Sequence, residues 1–188
     1  MRISEWFKRG AAREDPRVRR WRESWASSEP TAERAAIARL AGELEQIGLP
    51  DEEIEIEREM LRALIDRDEL SCATRAGGLP RVETGHRVVR GEPCHFSAPA
   101  TLVQETAQPT GRLLLTSGRV IFVGGGASVA IPWHAVSAAA HADRHLVLVK
   151  SGGEVAYRFR CNSYTDALCA AFIGREILAA RRTATPGL

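Results

Sequence analysis

The stretch Gly111-Arg-Leu-Leu-Leu-Thr-Ser-Gly-Arg-Val-Ile-Phe-Val-Gly-Gly-Gly126 decides the fold. Two runs rich in branched and aromatic residues flank Ser117-Gly118, a dipeptide that suits a two-residue hairpin turn. This turn predicts two apolar cross-strand pairs on one face, Leu113 with Phe122 and Leu115 with Val120. The other face is mixed in polarity. An antiparallel ribbon with one dry face is typical of a sandwich or a small barrel.

Around this hairpin the strand pattern continues. A first strand over 94–103 is broken near Pro99, and a strand over 129–136 is interrupted at Pro132, which predicts an edge or a bulge there. A second hairpin is predicted around Gly152-Gly153, with Leu148 opposite Tyr157 and Leu146 opposite Phe159. Its second strand alternates with period two. The residues predicted to point inward from it are Val155, Tyr157, Phe159 and Cys161.

Helical patterns occupy both sides of the strand region. Apolar residues recur with a 3.6-residue period over 31–47 and again to about Leu70, and the short connection between these runs predicts an antiparallel helical hairpin. A linker rich in Gly, Arg and Thr follows over 71–85. After the last strand, Asn162-Ser163 predicts the cap of an amphipathic helix that Pro186-Gly187 stop.

The first 30 residues form a basic arm that holds three of the four tryptophans. Tryptophan and arginine are enriched in protein interfaces, and short basic aromatic helices also bind anionic membrane surfaces. Two interpretations stay open: the arm docks onto a partner or a membrane, or its aromatic side chains fold back on the protein's own helices. The candidate docking residues are Ile3, Trp6, Phe7, Lys8, Arg9, Arg17, Trp21, Arg22 and Trp25.

Composition and charge exclude several classes of protein. Residues 1–30 carry 8 Lys and Arg against 5 acids, residues 31–85 carry 7 against 13, and residues 86–160 carry 8 against 4. The basic bias of the strand region is too weak for a duplex nucleic-acid binder. No apolar run reaches the ~20 residues of a membrane span, and the N-terminus lacks the apolar segment of a secretory signal. Four cysteines without an export signal predict reduced thiols in a cytoplasm.

No catalytic, metal or cofactor site is predicted. His141 and His145 have a metal-like spacing, but the residues between them are predicted to form an inter-strand loop, which favours a plain surface loop over a zinc site. Cys94 and His95 are adjacent in a strand and therefore point to opposite faces. The Gly124–Gly126 run lacks a following lysine and helix, so it predicts a turn and not a phosphate cradle.

The acidic residues of the second helix predict a solvated face. The glutamates at 52, 53, 55, 57 and 59 are consecutive or alternating, so they spread around the helix and do not converge on a metal or an acid–base pair.

The first hairpin and the strand after it resemble the pleckstrin-homology-like (PH-like) domains, most closely the GRAM-type and bacterial members. Those modules show a Gly-x-Leu-x-Leu-Thr-x-x-Arg-hydrophobic-hydrophobic-Phe hairpin, then a hydrophobic-Pro-hydrophobic strand and a following valine or isoleucine. The matching residues here are Gly111, Leu113, Leu115, Thr116, Arg119, Val120, Ile121 and Phe122, then Ile131, Pro132, Trp133 and Val136. The resemblance covers about residues 86–182.

This resemblance implies an α+β fold. We expect a PH-like β-barrel of two antiparallel sheets with about six or seven strands, closed by a C-terminal helix and preceded by the helical hairpin and the basic arm. The expected organisation is an arm over 1–30, a helical hairpin over 31–70, a linker over 71–85, a PH-like domain over 86–182 and a tail over 183–188.

The resemblance implies binding to lipids or protein segments and not catalysis. Phosphoinositide recognition is not expected, because the Leu102–Thr110 loop contains Glu105 and no Lys or Arg. We expect a cytoplasmic, non-enzymatic scaffold that docks onto a protein assembly as an accessory subunit, with a complex in the inner membrane as one candidate partner. Peripheral binding to anionic lipid through the N-terminal Trp/Arg helices is the first alternative, and an enzyme with an unrecognised site is the second. No cofactor, nucleic acid or small-molecule substrate is expected.

One packing expectation concerns the mixed face of the first hairpin. Leu114 and Ile121 point away from the predicted barrel interior, so another part of the chain should cover them, and the 31–70 helical hairpin is the expected cover.

Overall fold

The computed structural model describes residues 15–31, 33–89, 91–103, 108–150 and 152–184. The chain divides into two compact units, a helical unit over residues 1–61 and a sheet unit over residues 62–188. The boundary lies inside a helix and not in the predicted linker.

Three helices and a short 3-10 turn follow one another from Pro16 to Gly77. Helix α1 spans Pro16–Ser28, α2 spans Arg34–Ile47, the 3-10 turn spans Asp51–Glu53 and α3 spans Glu55–Gly77. The Asp15 side chain accepts a hydrogen bond from the Arg17 backbone N–H at 2.7 Å and caps α1. Gly48 ends α2 in the left-handed conformation, with φ of 65°.

Helix α3 is longer than the sequence pattern predicted. It continues seven residues beyond Leu70, to Gly77, and so takes in the first half of the predicted linker. Residues 71–76 include no proline or glycine, so nothing in them breaks the helix. The helix ends only where Gly77 and Gly78 occur, and Gly78 has φ of 81°.

The sheet unit contains seven antiparallel strands and a C-terminal helix. The strands are β1 Cys94–Leu102, β2 Thr110–Thr116, β3 Arg119–Gly124, β4 Ala127–Pro132, β5 Val136–Ala142, β6 His145–Lys150 and β7 Val155–Cys161. Helix α4 spans Tyr164–Ala184, and the Ser163 hydroxyl caps it by accepting from the Asp166 N–H at 3.0 Å. The predicted cap at this helix is therefore confirmed.

The strands form one sheet in the order β4-β3-β2-β1-β7-β6-β5. Strand β1 joins the two halves, since it pairs with β2 along most of its length and with β7 only over Ala100–Leu102. Strands β4 and β5 are the two edges, so the ladder is open where a closed barrel was expected. Helix α4 packs mainly against β5 and β6. It approaches so closely that a Cβ at Gly174 would lie 2.7 Å from the Ala139 Cβ.

Both hairpins have the predicted register. Leu113 pairs with Phe122 and Leu115 with Val120 in the first, and Leu148 pairs with Tyr157 and Leu146 with Phe159 in the second. These side chains meet α4 in one core, and the ones that are 0% exposed are Leu113, Leu115, Val120, Phe122, Leu146, Leu148 and Phe159. The hydrophobic burial of this core holds the open sheet together.

Two details of the strand pattern differ from prediction, and a third, the edge position of Pro132, agrees with it. Val155 is 54% exposed, because it lies at the strand end beyond an irregular register between Leu148 and Val149. Strand β1 runs through Pro99 without a break, and the residues before Ala100 have a ladder on one side only, so a missing N–H is tolerated there. Pro132 does end edge strand β4, and a 3-10 turn over Trp133–Ala135 leads into β5.

Leu114 and Ile121 are buried by a different segment from the one expected. They are 0% and 2% exposed and cluster with Cys94 and with Val89 of a 3-10 turn over Arg87–Val89. The 3-10 turn Arg87–Val89, which follows the predicted linker, therefore takes the place that the sequence pattern assigned to the helical hairpin. Its Val88 and Val89 belong to the same unit as the strands, and they pack against Leu114 and Ile121 and so supply the apolar cover.

Candidate functional site

Helix α1 carries the described part of the predicted docking set, and its two tryptophans lie inside the helical unit. Trp21 is 2% exposed and its indole N–H donates to the Leu40 carbonyl oxygen at 2.8 Å. Trp25 is 6% exposed and donates to the Met60 carbonyl oxygen at 3.0 Å. A buried indole with a satisfied N–H offers no surface to a partner. For Trp21 and Trp25 the structure corresponds to the second interpretation, in which the aromatic side chains fold back on the protein's own helices.

Arg22, also in the predicted docking set, pairs with a buried carboxylate, while its own side chain is 42% exposed. Its guanidinium contacts the Glu57 carboxylate, with Nε–Oε1 at 2.6 Å and Nη2–Oε1 at 2.5 Å, and the Glu57 side chain is 1% exposed. The prediction that the glutamates of α3 form a solvated face is wrong for Glu57. Its position on α3 faces α1, and a buried carboxylate requires a cation of this kind.

Arg17 links the start of α1 to the end of α2. Its Nη1 donates to the Ile47 carbonyl oxygen at 2.7 Å, at the end of α2. The same side chain pairs with Asp15 at 2.7 Å, and hydrogen bonds from the Arg17 side chain and backbone lower the pKa of that carboxyl group. The contact fixes the direction in which α1 begins.

With both tryptophans buried and Arg22 paired with Glu57, the outer side of α1 is a surface of arginines. Arg17, Arg19 and Arg20 are all exposed, and we call these three residues the α1 arginine face. In the described part of the chain Arg19 and Arg20 form no ion pair. An open groove of about 370 Å³ runs beside Arg17 and Arg20, and its other lining residues are Trp21, Ser24, Glu43, Gln46 and Ile47.

The remaining predicted docking residues, Ile3, Trp6, Phe7, Lys8 and Arg9, lie outside the described residues. Docking through them stays a prediction.

The residues of the barrel motif surround the Ser117-Gly118 turn. The Thr116 hydroxyl is 2.6 Å from Glu92 Oε2, to which it donates, and it accepts from the Arg119 N–H at 3.0 Å. Arg119 Nη2 pairs with Glu92 Oε1 at 2.8 Å. One carboxylate therefore binds both the threonine and the arginine of the motif, and we call Glu92, Thr116 and Arg119 the hairpin clamp.

Neighbouring elements reinforce the turn. The Trp133 indole N–H donates to the Thr116 carbonyl oxygen at 2.8 Å, and Arg181 of α4 donates to the Ser117 carbonyl oxygen at 2.9 Å. The His95 ring bridges the Pro80 carbonyl oxygen (2.7 Å) and the Ser117 hydroxyl (2.9 Å). These contacts give Thr116 and Arg119 of the motif a role in holding the hairpin turn.

Glycine is required at position 111 of the motif for a different reason, the close approach of two strands. A Cβ at this position would lie 2.2 Å from the Val123 carbonyl oxygen, and a Cβ at Gly124 would lie 2.3 Å from the Gly111 Cα. Only glycine permits the two strands to approach in this way.

The thiols are placed for packing. Cys94 and Cys161 are buried, and burial raises the pKa of the Cys94 thiol and raises that of Cys161 to about 12. Burial likewise raises the pKa of Cys169 to about 12. A thiol with so high a pKa has little thiolate, the form that acts as a nucleophile or a metal ligand. His141 and His145 lie on β5 and β6, either side of the Asp143-Arg144 turn, and no group of three metal-ligating side chains occurs among the described residues.

The sequence alone did not point to Glu92 or Glu57, although these carboxylates pair with Arg119 and Arg22. Glu92 could have been singled out because acidic residues are rare in this region, with four in all over residues 86–160. Glu57 did carry a signal, because it lies three residues after Ile54 and three before Met60, at the spacing of one helix face.

The arrangement of the described helices and strands is sufficient to assign the fold class. Helices followed by a seven-stranded antiparallel sheet and a C-terminal helix are the arrangement that the PH-like resemblance implied, so the fold-class prediction is confirmed. Within the described ranges no helix is both long and apolar enough to span a bilayer.

Comparison with known proteins gives only distant structural similarity. No family model and no curated protein matches the chain. A solved structure of the C-terminal domain of an unknown protein from Leishmania infantum is similar over 48% of this chain and 89% of its own, with 14% identity and a TM-score of 0.41. The linker-DH/PH structure of p115-RhoGEF is similar over 87% of this chain and 55% of its own, with 9% identity and a TM-score of 0.41. A structure of human RhoA in complex with the DH/PH fragment of PDZRHOGEF is similar over 87% and 53%, with 12% identity and a TM-score of 0.39. The chain thus spans about half the length of these DH/PH chains.

Proposed function

We propose that this chain is a non-enzymatic binding module of the GRAM-type, bacterial PH-like kind, and that it docks onto a protein assembly through its helical unit. The sheet unit serves as the scaffold. In this proposal the module is an accessory subunit at the cytoplasmic face of a membrane, and a membrane-embedded complex is its partner.

The observation that carries the proposal is the orientation of α1. Both of its tryptophans are anchored to backbone carbonyls of α2 and α3, so the helix is held rigidly. A rigid helix that presents Arg19 and Arg20, which form no ion pair among the described residues, needs little ordering when it binds, which favours affinity for an acidic protein surface.

Docking to protein is better supported than lipid insertion through α1. A membrane-surface helix buries its apolar side among the lipids, but the apolar side of α1 is already buried in the helical unit. What α1 offers to an anionic bilayer is charge alone. Peripheral lipid binding would then depend on the arm before Asp15.

The test is a charge reversal on the α1 arginine face. The Arg19→Glu/Arg20→Glu variant is compared with Lys150→Glu/Arg158→Glu, which makes the same change in net charge at exposed positions of the sheet unit. Proteins that co-purify with the wild-type chain under native conditions are quantified for each variant. We expect about tenfold loss for the α1 variant, which corresponds to the loss of charge pairs across an interface. Equal recovery with both variants, or loss with the sheet variant alone, would contradict the proposal.

A second measurement addresses the lipid alternative. Co-sedimentation with phosphatidylcholine vesicles, with and without phosphatidylglycerol, is compared for the full chain and for a chain lacking residues 1–14. Deletion to residue 14 leaves the Asp15 cap and both buried tryptophans in place. Salt-sensitive binding that disappears with the deletion would favour the lipid alternative over protein docking.

A further inference from the structure

A basic groove lies in the sheet unit where the β5–β6 turn meets the end of β7 and the start of α4. It has a volume of about 450 Å³ and is lined by Asp143, Arg144, His145, Arg160, Cys161, Asn162 and Tyr164. It belongs to a different unit from the α1 arginine face, and neither the hairpin clamp nor the proposed docking uses it.

Strand pairing and a backbone hydrogen bond hold the β5–β6 turn in place. Ala142 pairs with His145 across two turn residues, and Asp143 adopts φ of 50°, in the left-handed region. The Cys161 N–H donates to the Arg144 carbonyl oxygen at 2.7 Å, which ties the turn to the end of β7. Arg144, the cation on the turn, is therefore presented by a fixed backbone.

Two arginines line this groove, Arg144 from the β5–β6 turn and Arg160 from β7. The Arg144 guanidinium lies over the Tyr164 ring, with Cζ 5.4 Å from the ring centroid, a cation–π contact that orients it. Arg160 lies opposite His145 in the β6–β7 register, is exposed, and forms no ion pair in the described chain. Asp143 is the single acid among the lining residues, and it is exposed on the turn.

We propose that this groove binds a phosphate group carried on a larger molecule. Guanidinium groups match the oxygens of phosphate in charge and in the geometry of their N–H donors. His145, Asn162 and Tyr164 add polar side chains to the lining. The groove is much larger than a single phosphate, so the rest of the ligand occupies it beside the anion.

The structure supplies a matched pair of variants for the test. Arg158 and Arg160 are both exposed arginines of β7, two residues apart on the same side of the strand, and only Arg160 lines the groove. Arg160→Gln and Arg158→Gln thus remove the same charge from the same face. Both positions are exposed, so both variants should fold.

Inorganic phosphate is titrated into the full chain at constant ionic strength, and backbone amide shifts are followed by NMR. We expect saturable shifts at Arg144, His145 and Cys161, with Kd about tenfold higher for Arg160→Gln and within about twofold of wild type for Arg158→Gln. Equal weakening by both variants would show diffuse charge attraction, and absent or non-saturating shifts would show that there is no site. Either result would overturn the proposal.

Two further probes then distinguish the source of the phosphate. Glycerol 3-phosphate tests a soluble ester, and phosphatidylcholine vesicles containing phosphatidic acid test a lipid headgroup. Binding of either one that depends on Arg160 supports the proposal and identifies the source. Failure of both, with inorganic phosphate also inactive, overturns it and leaves the docking proposal for α1 untouched.

Discussion

Cys161 shows how packing sets the chemistry of a single side chain. Its thiol is 3% exposed on the inward face of β7, and burial raises its pKa to about 12. In the unfolded chain a cysteine titrates near its ordinary value of about 8.5. The folded protein therefore keeps the thiol protonated over a pH range in which the unfolded chain loses the proton.

The free energy of unfolding should fall as the pH rises from about 9 towards 12. The contribution of a raised pKa is fully present below the unfolded value and is lost as the pH approaches the folded one. For Cys161 we expect a loss of about 2 kcal/mol by about pH 10. Urea unfolding at about pH 7 and pH 10 measures the difference. Cys161→Ala should be less stable at the lower pH because of the cavity, yet lose less on going to the higher pH; an identical pH loss in both proteins would contradict the assignment.

At the scale of elements, the contact between β2 and the end of β3 depends on two glycines. Gly111 and Gly124 let the backbones come so close that a Cβ on either would overlap backbone atoms of the other strand. Backbone atoms cannot move aside as the end of a flexible side chain can. This is the physical reason for the glycine that begins the hairpin motif.

Gly111→Ala and Gly124→Ala should each lower the free energy of unfolding by about 3 kcal/mol, since β2 and β3 must separate to admit the methyl group. Gly152→Ala is the matched control, because a Cβ there meets nothing within 4 Å. Chemical denaturation followed by far-UV circular dichroism measures the three variants. If Gly111→Ala were as stable as Gly152→Ala, the close approach of the strands would be disproved.

At the scale of the whole molecule, the chain forms two compact units and the boundary lies within α3. Each unit has its own stabilising polar contacts: Arg22 with Glu57 in the helical unit, and the hairpin clamp in the sheet unit. Local stability can then differ between the two units.

Arg22→Gln leaves the buried Glu57 carboxylate without its cation, and we expect the helical unit to lose about 2 kcal/mol of stability. Hydrogen exchange read by mass spectrometry should then speed up about thirtyfold over α1 and α2, with little change over β2 and β3. The double variant Arg22→Gln/Glu57→Gln should recover part of the loss, because no unpaired charge remains. Uniform acceleration over both units would show that the chain unfolds as one cooperative body.

Much of the sheet unit could be read from the sequence because a hairpin is a local structure. Ser117-Gly118 and Gly152-Gly153 mark the turns, and once a turn is placed the period of two predicts the pairs, apart from the irregular Val149–Val155 pair beside the second turn. The C-terminal helix was equally local, since its cap and its apolar period lie within one segment.

Only the tertiary structure decided which residues each side chain packs against. The sequence determined that α1 would be basic and aromatic, but the same tryptophans suit a partner surface and a protein's own core. The Leu40 and Met60 carbonyl oxygens, 19 and 35 residues away from their donors, place both rings inside. The cover of Leu114 by Val89, the pairing of Glu57 with Arg22 and the open edges at β4 and β5 likewise depend on contacts between distant segments. Sequence periodicity specifies which face of an element is apolar, whereas the identity of what lies against that face follows from how the elements pack together.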